Sequence, residues 1–184
     1  MPWSPPDPPL RTGRVGLRPF RVGDAADVAA ACTDPDILRF TFMQEGLTEL
    51  DAREWIERSN EWWPHGQPRF AIADPGDDRV LGQVGMAANE HLRSAEAYYW
   101  VSPTARRRGI ASRALGLVAD WAFEEGVERL FLLIHPENTP SNRLAERLGF
   151  SREGVLRSYE PFKGHRPDLA SWSLLPHDPR PWHR

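Results

Sequence analysis

Residues 106–112, Arg-Arg-Arg-Gly-Ile-Ala-Ser, bring together positive charge, backbone freedom and a helix start. They follow an apolar run ending at Val101 and a turn at Pro103. They open a stretch in which Ile110, Ala114, Leu115, Val118 and Ala122 fall near one helical face. The first amides of a helix lack intrahelical partners and sit at the positive end of its dipole, so a loop leading into one can hold a phosphate. Gly109 lets the backbone come close to such a ligand, and the small Ala111 and Ser112 keep the entrance open. Arg106, Arg107 and Arg108 offer charge-assisted hydrogen bonds. A glycine-broken surface loop with solvated arginines has the same composition. Its place between a strand and an amphipathic helix favours the phosphate reading.

The elements that must position this loop read as one mixed α/β domain. A chain of 184 residues, 40% of them hydrophobic, closes a single core and calls for one active site. Val15–Phe20 reads as a strand, and Asp24 as the N-cap of a helix through Ala31. Thr48 with Asp51 opens a second helix carrying Ala52, Trp55, Ile56 and Ser59 at helical spacing. Strands over 70–73, 80–87 and 95–101 follow, the first two divided by the turn Pro75-Gly-Asp-Asp78. A third helix covers 109–125, a buried strand 130–134, and a fourth helix 140–148 stopped by Gly149; strands near 150–157 and 169–175 close the chain. The Pro-rich ends, 1–12 and 176–184, read as extended tails around a domain of residues 13–175.

Composition excludes several classes. Lys and Arg total 23 against 26 Asp and Glu, a net charge of -3, so there is no broad cationic face for nucleic acid, and the arginine cluster suits a small phosphorylated ligand. Cys32 stands alone, and no His or Cys spacing suggests a zinc site, so no metal is expected and a reducing cytoplasm is the simplest setting. The first ten residues lack the layout of a signal peptide and no later run is apolar enough to span a bilayer, so a soluble protein with no membrane partner is expected. There is no Gly-x-x-x-x-Gly-Lys-Ser/Thr loop and no Gly-x-Gly-x-x-Gly after a strand, which disfavours nucleotide hydrolases and dinucleotide oxidoreductases.

Arg106-x-x-Gly109-x-Ala111 resembles the coenzyme A signature of the GCN5-related N-acetyltransferases (GNAT). The segment from Asn138-Thr-Pro-Ser141 to Gly149-Phe150 is similar to that family's Asn-x-x-Ser/Ala segment. Residues 10–19 with Asp34-Pro35 resemble the opening of its RimJ/RimL-like branch. The likeness spans roughly residues 10–175 and implies the GNAT fold, a mixed, mostly antiparallel sheet of about seven strands flanked by about four helices. It further implies that acetyl-CoA is the co-substrate and an amine, on a peptide N-terminus or a small molecule, the acceptor. By that resemblance the amides of residues 107–111 hold the pyrophosphate. Trp100 and Val101 lie on a strand splayed from its neighbour and pair with the pantetheine arm, and Asn138 bonds the same arm or only caps its helix.

Thioester aminolysis needs a base for the amine and an exit for the thiolate. Glu96 is the first candidate base, sharing strand parity with Tyr98 and Trp100, although a strand glutamate is more often a solvated face residue. Glu160, His165 and Asp168, in the loop from Ser158, are alternatives. Where many relatives carry a tyrosine acid this chain has Ala145, leaving Ser141 as the nearest hydroxyl, either proton donor or helix cap. Trp55, Trp62 and Trp63 fall in the part of the chain that borders the acceptor in this family. Two rival readings stay open: a succinyl or other acyl donor met by a cation such as Arg39 or Arg69, and a non-catalytic coenzyme A-binding regulator. A homodimer is the default expectation for a soluble enzyme of bacterial character.

Overall fold

The computed structural model describes residues 2–183. Its elements run β1 (Leu10–Thr12), β2 (Val15–Pro19), α1 (Ala25–Ala31), α2 (Pro35–Phe40), α3 (Glu49–Glu61), β3 (Arg69–Ala73), β4 (Val80–Asn89), β5 (Ser94–Val101), α4 (Ile110–Glu124), β6 (Arg129–Ile134), α5 (Thr139–Arg147), β7 (Ser151–Leu156) and β8 (Leu169–Leu174). One eight-stranded sheet has the order β1-β2-β3-β4-β5-β6-β8-β7. Every neighbouring pair is antiparallel except β5 with β6, which is parallel because the α4 crossover returns the chain to the same end.

The expected elements are present, with two additions. β1 pairs with β2 from Leu10↔Leu17 to Thr12↔Val15. α2 begins on the Asp34 N-cap, whose carboxylate accepts from the Ile37 amide, with Pro35 in the first turn where a missing N–H costs nothing. The capping box of Thr48 and Asp51 starts α3 as the sequence indicates. Asp24 differs: it makes no side-chain cap on α1. Its carboxylate instead accepts from the Arg21 amide at 2.8 Å and from both Arg18 Nη atoms at 2.7 and 2.9 Å. A guanidinium buried on β2 outcompetes the helix amides for that carboxylate.

The Pro-rich ends are not free tails. Trp3 is 3% exposed and packs against Trp121 with ring centroids 5.3 Å apart and planes tilted by 55°, and Leu10–Thr12 forms the outer strand. At the other end Trp182 lies over Gly116 of α4, where a Cβ would stand 2.9 Å from its ring, while Arg180 Nη1 and Trp182 Nε1 both donate to Asp120 at 2.9 Å. Proline removes donors but does not stop an interspersed tryptophan from burying its ring.

Two cores flank the sheet. Ala95, Ala97, Leu132 and Ile134 pack with α4 and α5 on one side, joined by Tyr99 and Val101. Trp100 and Ala71 pack with α1 and α3 on the other. The strand period of two therefore sends Glu96, Tyr98 and Trp100 to the α1/α3 side and Tyr99 to the α4/α5 side. Gly82 makes this central pairing close: a Cβ there would lie 2.3 Å from the Trp100 carbonyl oxygen, a backbone atom that cannot swing aside. Gly82→Ala is expected to destabilise the fold by about 1–3 kcal/mol, read as a lower urea midpoint at constant slope.

Candidate active site

β5 and β6 hold together only at Ser94↔Arg129, Ala95↔Leu130 and Glu96↔Phe131. Beyond Glu96 they part: β5 stays on β4 as far as Val101↔Gly82, and β6 stays on β8 as far as Ile134↔Ala170. The resulting wedge opens into a cleft of about 400 Å³ lined from both core sides, by Trp55, Arg69, Glu96 and Tyr98 on one and Tyr99, Asn138 and Ser141 on the other.

In the loop between the end of β5 and α4, Arg107 (φ 60°) and Gly109 (φ 71°) are both left-handed around Arg108, a backbone course that turns successive N–H groups toward one side. Among the described residues the amides of Arg107, Arg108 and Gly109 make no backbone hydrogen bond, and those of Ile110, Ala111 and Ser112 form the first turn of α4. The three arginines are not equivalent. The Arg106 side chain is committed to Asp34 at 2.5 Å, Asp36 at 3.3 Å and the Val101 carbonyl at 3.2 Å, so it bolts the loop to α2. Burial alone would raise the Asp34 carboxyl, but hydrogen bonds from Arg106 and the Ile37 amide hold it below its ordinary value. Arg107 and Arg108 remain exposed, and the Arg108 carbonyl accepts from Arg113 Nη1 at 2.9 Å. Of the three arginines expected to offer hydrogen bonds to a phosphate, Arg106 is thus committed within the protein, Arg107 and Arg108 are exposed, and the Val101 carbonyl is already engaged.

Glu96 sits half-buried in the cleft, one residue short of where the strands part. Burial, reinforced by Glu160, pushes its carboxyl up to about 7. Trp100 is buried and its indole N–H donates to Gln83 Oε1 at 3.1 Å, which locks the strand end. Tyr98 is likewise raised by burial, and its hydroxyl accepts from Arg69 Nε at 3.2 Å.

On the opposite face, the Tyr99 hydroxyl is buried without a hydrogen-bond partner among the described residues. Burial pushes it up to about 12, the neighbouring Ser141 side chain drawing it back. Ser141 is in the first turn of α5, its amide bonded at 3.2 Å to Asn138 Oδ1, so Asn138 does cap the helix. The Asn138 Nδ2 makes no protein hydrogen bond among the described residues, and Asn138 lines the cleft, so capping leaves a donor over. Ala145 is wholly buried.

Of the alternative bases, Glu160 lines the cleft, whereas Asp168 is spent accepting from the Ser158 amide at 2.8 Å, closing its own loop. His165 is exposed, pairs backbone to backbone with Phe162 and does not line the cleft. Trp55 borders the cleft, edge-on to Phe20 at 5.2 Å; Trp63 is in the core and Trp62, 42% exposed, lies away from the cleft. Arg39 pairs with Glu137, while Arg69 has no carboxylate partner among the described residues. Nothing in the residue type of Tyr99 marks it in the sequence, though its parity opposite to Glu96 places it on the α4/α5 side.

Residues 14–151 match the family model of the acetyltransferase (GNAT) domain, and the chain belongs to that family. It is 33% identical over 170 residues to an uncharacterized N-acetyltransferase, p20, of Bacillus licheniformis, covering 90% of this chain and 95% of that one. The fold superposes on Mycobacterium smegmatis RimJ in complex with CoA-disulfide with a TM-score of 0.79 at 28% identity, covering 91% of this chain and 86% of the other. A putative ribosomal-protein-serine acetyltransferase from Vibrio cholerae matches in fold with a TM-score of 0.81 at 22% identity, covering 94% and 100%. The protein is an N-acetyltransferase acting on amines.

Proposed function

We propose that the chain transfers the acetyl group of acetyl-CoA directly to an amine in the cleft, with Glu96 as general base. The observation that carries this reading is a half-buried carboxylate held near pKa 7 beside the point where two strands part. At neutral pH such a group can accept a proton that an ordinary glutamate would take poorly. The free amides at residues 107–109 and the start of α4 suit the pyrophosphate, and the unpaired edges of β5 and β6 suit an extended pantetheine arm, with Asn138 Nδ2 donating to it. The amine nitrogen attacks the thioester carbonyl carbon, Glu96 takes the amine proton, and the C–S bond breaks. The thiolate leaves with a proton from Ser141 or water. A cytoplasmic, metal-independent enzyme acting as a homodimer, with no nucleic-acid partner, completes the reading. A free, buried Cys32 suits a reducing compartment, and the net charge of -3 offers no broad cationic face to nucleic acid.

Incubating the purified protein with acetyl-CoA and with succinyl-CoA against a pool of peptides and small amines, while following thiol release and product mass, tests this. Acceptor-dependent release with acetyl-CoA is the expected result; coenzyme A binding without transfer overturns it. Ser141→Ala is expected to lower kcat less than tenfold, because a thiol of pKa about 8.5 departs tolerably as thiolate. A loss of a thousandfold in single-turnover assays would make Ser141 an obligatory acid.

A further inference from the structure

We propose that Arg69 is an anion-binding residue of the cleft, receiving a carboxylate carried by one of the two reactants. The inference rests on the acetyl-transfer reading above and narrows its substrate class.

Arg69 opens β3 and stands opposite Gly85, which stands opposite Tyr98, so the three form one row across β3, β4 and β5 on the face that carries Glu96. Its guanidinium is held by neutral groups only: Nε donates to the Tyr98 hydroxyl at 3.2 Å and Nη1 to Ser59 Oγ at 3.1 Å, with the Trp55 ring 5.8 Å away. No carboxylate lies within ion-pair distance of it among the described residues. The other cleft-lining arginine, Arg39, is paired with Glu137, and the buried Arg18 with Asp24. A half-buried cation satisfied by two hydroxyls keeps the Nη2 donors and one Nη1 hydrogen, the planar edge that matches a carboxylate in a two-point contact.

The neighbours hold this edge in place. A Cβ at Gly85 would lie 2.7 and 2.8 Å from the Tyr98 ring and 2.9 Å from the Pro68 carbonyl. Only a glycine lets that ring lie down on β4 with its hydroxyl under Arg69 Nε. Ser59 is wholly buried on α3, so the second anchor is fixed too. Arg69 and Glu96 share a face two strands apart and two residues offset along the strand, about 12 Å between their backbones. An acceptor amine at Glu96 would thus carry its carboxylate several bonds away, as in a peptide with an acidic residue near its N-terminus. The other source is the donor, a thioester whose acyl chain ends in a carboxylate. A polyamine meets repulsion at the same point.

Matched substrates separate the two sources. In the acceptor arm, peptides differing only as Asp or Asn at the second position are compared with acetyl-CoA. In the donor arm, succinyl-CoA is compared with butyryl-CoA on one neutral peptide. The expected result is a preference of about 10- to 100-fold in kcat/KM for the charged member in one arm, falling toward one in Arg69→Met and partly kept in Arg69→Lys. Equal use of both members in both arms overturns the proposal. Should no acceptor be turned over with either donor, the acetyl-transfer reading fails separately. Glutarate titrated against thermal stability then decides on Arg69: a rise in Tm in the wild type that is absent in Arg69→Met supports the site, and equal or no shift in both overturns it. Melting curves without ligand confirm that the variants fold.

Discussion

Glu96→Gln is expected to reduce kcat by about 10²- to 10⁴-fold while making the folded protein more stable at alkaline pH. The same burial causes both effects. Because burial and Glu160 raise the Glu96 carboxyl from 4.5 to about 7, the wild-type kcat should climb as pH rises through 7 and level off above it. The glutamine variant should lose that limb. On the stability side the folded state holds this proton more tightly than the unfolded chain. The contribution is therefore fully present below pH 4.5 and is lost as pH rises from there through 7. Above pH 8 the ionised, desolvated carboxylate costs about 3 kcal/mol, which the uncharged amide avoids. Urea midpoints at pH 5 and pH 8, beside kcat at the same values, check it. An active variant, or one with the wild-type pH limb, assigns the base elsewhere, Glu160 first. Glu160→Gln should itself move the wild-type limb to lower pH, since it removes the charge that helps raise Glu96.

Asp24→Asn is expected to be the most damaging single change outside the cleft, lowering stability by about 3 kcal/mol or more. Arg18 and Asp24 both keep only 8% of their side-chain surface exposed, and their contact is two-pronged. The same Arg18 donates through Nε to Asp78 Oδ1 at 2.9 Å and through Nη2 to the Asp78 carbonyl, so β2, the entry to α1 and the β3–β4 turn meet on one guanidinium. Removing the Asp24 charge leaves that cation buried with only the half-exposed Asp78 carboxylate. A double variant, Arg18→Met with Asp24→Leu, should recover much of the loss, because the cost lies in the stranded charge rather than in the pair itself. Chemical denaturation of the three proteins measures the difference; a single variant as stable as the double would contradict it.

Much of this architecture could be read from the chain because local signals and tertiary outcome agree. The capping box of Thr48 and Asp51, the turn before Val80 and the face of Ile110, Ala114 and Leu115 each appear as written. α2 is hard to read from the chain because a six-residue helix carries too little periodicity, and only its cap, Asp34-Pro35, announces it. β1 and the docked Trp3 and Trp182 were hidden by the prolines around them. Of the candidate site, the place of the loop before α4 and the shared face of Glu96, Tyr98 and Trp100 are legible from spacing and parity. What spacing does not disclose is which polar groups find partners. Arg106 is consumed by Asp34 and Asp36 and Asp168 by the Ser158 amide, while Arg69 finds only the Tyr98 and Ser59 hydroxyls and the buried Tyr99 hydroxyl makes no hydrogen bond among the described residues. Those outcomes depend on contacts between segments far apart in sequence.

The parting of β5 from β6 also bears on how the molecule responds to load. Among the described residues, three ladder pairs, extended at one end by the Glu128 amide donating to the Arg93 carbonyl at 2.7 Å, form the strand seam between a five-stranded half and a three-stranded half. The sheet is therefore an unfinished one, whose missing rungs run along 97–101 and 132–134. On the proposed reading the donor's extended arm supplies rungs that the chain does not, so part of its binding energy goes into completing the fold. Amides along those two edges should exchange with solvent readily in the free protein and slow when coenzyme A is present, making the substrate a removable strand of the enzyme that uses it.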